Sequence, residues 1–182
     1  MKRKINMDGK LPFVNAGIFG PKMSGKTTLG KELSKQMWFR LGRKSLVLDP
    51  YAHENDWGNW SWVTTNEPHF WQIVNKGKGY LVIVDEATQT INQEKLLTPV
   101  FTAMSHREHQ LLVMGHRGTN LLPIMREQLD RIYLFRQPEP AAKQWSETFC
   151  HDGLMDATRL RQYEFIDYRQ YQDNHAILTL QL

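Results

Sequence analysis

The amino-acid sequence predicts a three-layer α/β fold in which a mostly parallel central sheet carries helices on both faces. Short continuous apolar runs, typical of buried parallel strands, alternate along the chain with segments of helical periodicity. The first run leads into a glycine-rich segment, and several later runs end in charged or polar residues. Since the carboxyl ends of parallel strands share one edge of the sheet, we expect the chemistry at that edge.

The glycine-rich segment, residues 20–27, fits the phosphate-binding pattern G-x-x-x-x-G-K-[ST] at every fixed position. An apolar run precedes it and a helical pattern follows, which is the context that this P-loop requires. Its two glycines let successive backbone N–H groups face a phosphate, and the helix adds its positive N-terminal dipole. The predicted nucleotide-binding residues are Gly20, Pro21, Lys22, Met23, Ser24, Gly25, Lys26, Thr27 and Thr28.

Two P-loop side chains have specific predicted roles. Lys26 is expected to reach the β- and γ-phosphates of a nucleotide. Thr27 is expected to give its hydroxyl to Mg²⁺, whose charge bridges the phosphates and offsets the charge that develops in phosphoryl transfer. ATP and Mg²⁺ are therefore the predicted ligands.

The first half of the chain follows the predicted alternation. The strand 14–19 is followed by a helix over 27–41, whose apolar residues recur every four positions, and Gly42 ends it. A short strand at 45–48 stops at Asp49-Pro50. We expect residues 51–66, with three closely spaced tryptophans, to form a polar loop or hairpin, and residues 67–76 a helix.

A second signature follows at residues 80–86, where branched apolar residues lead into Asp85 and Glu86. A strand that delivers an aspartate to its carboxyl end places this carboxylate beside the P-loop, where it can hold Mg²⁺ directly or through water. Asp85 is the predicted metal residue. Glu86 is suited to orient or deprotonate an attacking water.

The second half continues with a predicted helix over 94–109 and a strand over 111–115 that ends at His116 and Arg117. A short helix at 125–129 and a strand at 131–136 follow. Beyond the Pro138-Glu139-Pro140 segment we predict helices at 141–149 and 157–163 and strands at 164–168 and 176–180.

Length and composition limit the protein class. A chain of 182 residues has the length of one ordinary domain, so we expect residues 13–182 to form one domain and residues 1–12 a flexible basic arm. The net charge of +4 fits an anionic partner such as nucleic acid. The single cysteine, Cys150, excludes an internal disulfide. No apolar run approaches the length of a membrane span, so we expect a protein that is not itself transmembrane.

Together these motifs resemble the FtsK/HerA superfamily of P-loop ATPases. The resemblance rests on the P-loop, the strand ending at Asp49, the Asp85-Glu86 strand and the polar ending at His116, and covers roughly residues 14–137. Within the superfamily, the short length and residues 126–136 most resemble the genome-packaging ATPases of tailless icosahedral, often membrane-containing viruses. Zot-like phage assembly ATPases are near relatives.

The resemblance implies a RecA-like or FtsK/HerA-like fold, with Lys26 and Thr27 on the nucleotide and Mg²⁺, Asp85 assisting the metal and Glu86 activating water. His116 stands where the family usually has Gln or Asn as a sensor of the γ-phosphate. An arginine from the next subunit of a ring completes such sites, and Arg107 is the predicted candidate. The alternatives are Arg117, Arg131 and Arg136.

The implied function is a homo-oligomeric ring, a pentamer or hexamer, that hydrolyses ATP to move double-stranded DNA into a viral procapsid. Its implied partners are DNA and capsid or membrane vertex proteins, in the host cytoplasm and at the packaging vertex of the virion. Three other hypotheses stay open. One is a small P-loop kinase acting on a nucleoside or nucleotide, and another is a Zot-like phage assembly ATPase. The third is a switch or scaffold that binds ATP without turnover.

Overall fold

The computed structural model describes residues 14–53, 56–87, 104, 106–118, 121–172 and 175–181. The predicted basic arm, residues 1–12, lies outside the described residues, as does most of the predicted helix 94–109.

An eight-stranded sheet runs through the described part of the chain in the order β3-β2-β4-β5-β1-β6-β7-β8. Neighbouring pairs from β3 to β6 are parallel, and β7 and β8 are added antiparallel to the β6 edge. The three-layer α/β prediction is thereby confirmed. The strands are β1 (Asn15–Phe19), β2 (Ser45–Leu48), β3 (Ser61–Thr64), β4 (Leu81–Val84), β5 (Gln110–Gly115), β6 (Arg131–Phe135), β7 (Glu164–Arg169) and β8 (His175–Thr179).

The first two helices have capping residues of the expected types. Gly25 precedes the first helix, and Gly42 ends it with φ 63° while its N–H bonds to the Trp38 carbonyl oxygen. Asn66 caps the second helix by accepting from the His69 N–H at 3.0 Å. The helices are α1 (Lys26–Leu41), α2 (Glu67–Lys76), α3 (Pro123–Glu127) and α4 (Glu139–Phe149), followed by the 3₁₀ helix Asp152–Thr158.

The side chains of the parallel strands alternate between two cores. On one face, the predicted apolar stripe of α1 is buried through Leu29, Leu33 and Met37 against residues such as Ile18 and Ile83. On the opposite face, Val82 and Val84 pack with α2 and α4. Because both faces are covered, β1, β2, β4, β5 and β6 are buried along their whole length, which explains their continuous apolar runs.

Two predictions of secondary structure are wrong. Residues 61–64, expected within a polar loop or hairpin, form the parallel edge strand β3, in which Ser61 pairs with Ser45 and Thr64 with Leu48. Pairing with β2 overrides the loop-like composition here. Residues 157–163, expected as a helix, contain only the end of the 3₁₀ helix and a turn in which Tyr163 has φ 65°. A left-handed residue of this kind cannot continue a helix.

Candidate nucleotide-binding site

The P-loop leaves β1 at Phe19 and enters α1 at Lys26. The Gly20 N–H donates to the Gly115 carbonyl oxygen of β5 at 3.3 Å, and a Cβ on Gly20 would lie 2.5 Å from the Phe135 Cβ. Gly25 has φ 106°, a backbone conformation that L side chains rarely adopt. The loop therefore needs glycine at both positions, one for close approach and one for its backbone angle.

Two polar side chains of the P-loop, those of Ser24 and Lys26, are buried. Lys26 is only 7% exposed, and its Nζ donates to the Pro21 carbonyl oxygen at 2.9 Å. Burial lowers the Lys26 pKa, an effect that the nearby Glu86 and Asp85 carboxylates oppose. The buried Ser24 hydroxyl has no hydrogen-bond partner among the described residues. These donors fit a phosphate held inside the loop, while Pro21, Lys22, Met23 and Thr28 are exposed around it.

The Thr27 hydroxyl lies 3.4 Å from the Asp85 Oδ2, so the first residues of α1 meet the carboxyl end of β4. A hydroxyl and a carboxylate are hard oxygen donors, the kind of ligand that Mg²⁺ prefers. The residues predicted to hold the metal therefore lie together and have suitable chemistry. Asp85 itself is held by its N–H, which donates to the Leu48 carbonyl oxygen at 2.9 Å.

Burial raises the pKa of Asp85 from its usual value near 3.8 to about 6, and the Asp49 and Glu86 carboxylates raise it further. The Glu86 N–H and the Lys26 ammonium oppose the shift. The folded state therefore binds more protons than the unfolded state between about pH 4 and pH 6, so stability falls as pH rises through that window. At neutral pH the fold carries a buried, ionised carboxylate at a cost in stability.

We expect Asp85→Asn to stabilise the metal-free protein at pH 7.5 by about 1–3 kcal/mol, because it removes this buried charge. The same substitution should remove most of the hydrolysis. The gain should shrink at pH 4.5, where wild-type Asp85 is already protonated in the folded state. Thermal unfolding in EDTA at the two pH values measures it. Glu127→Gln, at an exposed carboxylate of α3, is the control, and an equal gain at both pH values would contradict the explanation.

Glu86 follows Asp85 in a left-handed backbone conformation, with φ 49°. A residue other than glycine rarely adopts it, and such strain concentrates at functional sites. The Glu86 N–H donates to the Asp85 Oδ1 at 2.8 Å, and the Glu86 Oε1 lies 3.1 Å from the His116 Nε2. The Glu86 and His116 side chains are 15% and 27% exposed, so both are partly buried.

His116 extends from the end of β5 towards Glu86, a contact that sequence reasoning missed. The sequence placed both residues at the carboxyl edge, but only the pairing of β4 with β5 brings the two side chains together. The sequence predicts for Asp49 only that it is a carboxylate at the end of a strand. It accepts hydrogen bonds from the Trp57 indole at 3.1 Å and from the Tyr51 N–H at 3.0 Å. Trp57 is only 1% exposed, in the core under α1.

An open cleft of about 630 Å³ lies beside the P-loop, between the ends of β5 and β6. Three cations, Lys22, Arg117 and Arg136, line it together with His116. The cleft therefore has a positive lining at the carboxyl edge of the sheet, where an anionic group would be favoured. Its other lining residues are Pro21, Gln137, Pro138, Glu139 and Thr158.

The four arginine candidates have different surroundings. Arg131 is 1% exposed and its Nη2 lies 2.6 Å from the Asp167 Oδ2, so it is committed inside its own chain and is wrong as a candidate to reach another subunit. Arg117 and Arg136 line the cleft of their own chain. Arg107 is exposed and precedes β5, at the amino edge of the sheet, away from its own P-loop.

No protein-family model matches this sequence, and no curated protein matches it. Solved structures do share its fold. The genome packaging NTPase B204 from Sulfolobus turreted icosahedral virus 2, in complex with AMP, has a TM-score of 0.79 and 19% identity, covering 95% of this chain and 100% of that one. VirB4 of Thermoanaerobacter pseudethanolicus has a TM-score of 0.68 and 8% identity, covering 92% and 89%.

The N-terminal domain of zonular occludens toxin from Neisseria meningitidis has a TM-score of 0.53 and 16% identity, covering 92% of this chain and 94% of that domain. No helix in the part of the chain described is long and apolar enough to cross a membrane. At these identities the similarity concerns the fold. The chain shares its fold with the genome packaging NTPase B204, with VirB4 and with the zonular occludens toxin domain.

Proposed function

We propose that this chain is an ATP-hydrolysing motor that moves double-stranded DNA into a viral procapsid. The observation that carries the proposal is the meeting of three segments at one sheet edge. The Thr27 hydroxyl is 3.4 Å from Asp85, and His116 is 3.1 Å from Glu86. A protein that only binds ATP needs the groups that hold the phosphates. A carboxylate held beside them by a histidine is suited to hydrolysis as well.

Each side chain has a separate task in this proposal. The N–H groups of the P-loop and the Lys26 ammonium hold the phosphates, and Thr27 with Asp85 would hold Mg²⁺. The metal, when bound, neutralises charge on the phosphates. Glu86 accepts a proton from the attacking water or orients it, which requires an ionised carboxylate at that position. His116 fixes the direction of the Glu86 side chain through their contact.

DNA as the transported partner is supported by the resemblance of the motifs and by the structural neighbour B204, described as a genome packaging NTPase. The net charge of +4 suits an anionic partner. In the proposal the chain forms a ring, a pentamer or hexamer, in which Arg107 of one subunit reaches the nucleotide of the next. The ring acts in the host cytoplasm and at the packaging vertex of the virion, against capsid or membrane vertex proteins.

A Zot-like assembly ATPase is a second candidate, since the zonular occludens toxin domain shares the fold over most of both chains. A nucleoside or nucleotide kinase is a third, because kinases also have a P-loop. These candidates differ in the acceptor of the phosphoryl group or in the response to DNA. They can therefore be separated in solution.

The test measures phosphate release from ATP while protein concentration and duplex DNA are varied independently. We expect the rate per subunit to rise with both, because a ring completes its sites between subunits and a motor is coupled to its track. Phosphoryl transfer to nucleosides and nucleotides is measured in parallel. A rate per subunit that stays flat in both titrations would exclude the motor, and transfer to a nucleoside in place of water would establish the kinase.

A further inference from the structure

The P-loop is contacted by a part of the chain for which the motifs suggest no task. This part, the C-terminal hairpin, consists of the turn 161–163, β7, β8 and Leu180, which directly follows β8. We propose that the C-terminal hairpin positions the P-loop for nucleotide binding, with Gln162 and Leu180 as positioning residues. The inference rests on the proposed function only in taking residues 20–27 as the nucleotide site.

The first contact fixes a peptide plane. The Gln162 Nε2 donates to the Met23 carbonyl oxygen at 3.3 Å, across 139 residues of sequence. In a trans peptide the carbonyl and the next N–H point in opposite directions, so holding the Met23 oxygen outward turns the Ser24 N–H inward. The Ser24 N–H indeed points to the Pro21 carbonyl oxygen, at 3.4 Å, within the loop.

Met23 needs such support because its own backbone is unfavourable. It has φ 59°, and its side chain is 83% exposed, so packing of the side chain cannot hold this conformation. A non-glycine residue in the left-handed region persists only where its surroundings fix it. The hydrogen bond from Gln162 to the Met23 carbonyl oxygen is such a fixing contact.

The second contact lies at Gly25, where the loop becomes α1. A Cβ on Gly25 would lie 2.6 Å from the Leu180 Cδ1 and 3.2 Å from the Tyr163 Cδ1. The hairpin side chains thus occupy the space next to the backbone that turns its N–H groups towards a phosphate. The Leu180 N–H donates to the Tyr163 carbonyl oxygen at 2.9 Å, which ties the two hairpin ends together at this point.

The hairpin can act as a support because it is anchored in the sheet. Phe165 of β7 pairs with Phe135 of β6, and their rings lie 5.3 Å apart. The buried Arg131 is joined to Asp167 by two short hydrogen bonds, of 2.7 and 2.6 Å. Such bidentate pairs are among the stronger side-chain contacts. The hairpin is therefore linked to β6, which pairs with β1, and the P-loop follows β1.

The experiment measures the Kd of a non-hydrolysable ATP analogue, in the presence of Mg²⁺, for Gln162→Ala and Leu180→Ala. Each variant should raise Kd about threefold to tenfold, the effect of one modest contact. Steady-state kinetics should show a raised KM with kcat within about twofold of wild type, because the loop holds ground state and transition state alike. Gln162 is exposed, so its substitution should leave the unfolding temperature unchanged.

Two matched controls separate positioning from general stability. Leu178→Ala removes the same type of side chain two residues earlier, in β8, where it packs against the same core cluster. Gln172→Ala removes the same amide at the opposite end of the hairpin, between β7 and β8. Both should leave Kd unchanged. Equal Kd values for Leu180→Ala and Leu178→Ala, or a wild-type Kd in Gln162→Ala, would overturn the positioning role while leaving the motor intact.

The proposed function fails in a different way. The motor would be excluded if the wild-type protein binds the analogue but does not hydrolyse ATP. If Gln162→Ala and Leu180→Ala still raise the Kd of the analogue in that case, the positioning role is supported. Wild-type protein that binds no nucleotide would overturn both.

Discussion

Glu86→Gln is expected to lower kcat for ATP hydrolysis by about 10²–10⁴-fold, the usual contribution of a positioned general base. The amide keeps the size of the side chain and can still contact His116, but it cannot accept a proton from water. The phosphate-holding groups, including Lys26, are untouched, so we expect the Kd of the nucleotide to stay within a few-fold of wild type. Phosphate release and analogue binding on the same preparation measure the two quantities.

The control for this substitution is Glu147→Gln, which makes the same chemical change at a side chain that is 67% exposed on α4. It should leave both quantities at the wild-type level. Turnover by Glu86→Gln at the wild-type rate would remove the water-activating role. A large rise in Kd would instead mean that the carboxylate supports binding, and the proton would then need a different acceptor.

Arg107→Ala is expected to lower the hydrolysis rate of the assembled protein by about 10³–10⁵-fold, the contribution of an arginine finger. The reason is the placement of Arg107, which is exposed at the amino edge of the sheet and distant along the strands from its own P-loop. Its loss should therefore inactivate the site of a neighbouring subunit. Mixing Arg107→Ala subunits with Lys26→Ala subunits should restore part of the rate.

Restoration is expected because a mixed pair contains one site with an intact P-loop lysine facing a neighbour with an intact Arg107. Lys78→Ala, which removes an exposed cation from the same edge of the sheet, is the control and should leave the rate unchanged. No rescue at any mixing ratio would exclude Arg107. Rescue with Arg117→Ala or Arg136→Ala in its place would show that a residue of the cleft acts between subunits.

The fold class and the general location of the site can be predicted from the sequence alone. Apolar runs alternating with helical patterns predict a covered parallel sheet, because only strands buried on both faces lack polar alternation. The predicted strands at 45–48 and 131–136 and the helix at 67–76 correspond to β2, β6 and α2. Strand-end placement also puts Thr27, Asp85, Glu86 and His116 at one edge, since all parallel strands end there.

Local sequence failed where a distant partner decides the conformation. The composition of residues 61–64 predicts part of a loop, and only pairing with β2 makes them a strand. In the sequence, Arg131 is one of the alternative candidates for an arginine that reaches another subunit. Its burial and its pairing with Asp167 depend on β7 lying antiparallel to β6. Nothing in the local pattern around Arg131 contains this information.

Which side chains meet at this edge depends on the tertiary structure. Sheet order sets β4 beside β5, which brings His116 to 3.1 Å from Glu86. The antiparallel addition of β7 and β8 brings Gln162 and Leu180 against the P-loop. The sequence predicts at which edge of the sheet a residue lies, because this edge depends only on the position of the residue in its own strand. Contacts across the edge depend on strand order and register, which are set by packing over the whole sheet.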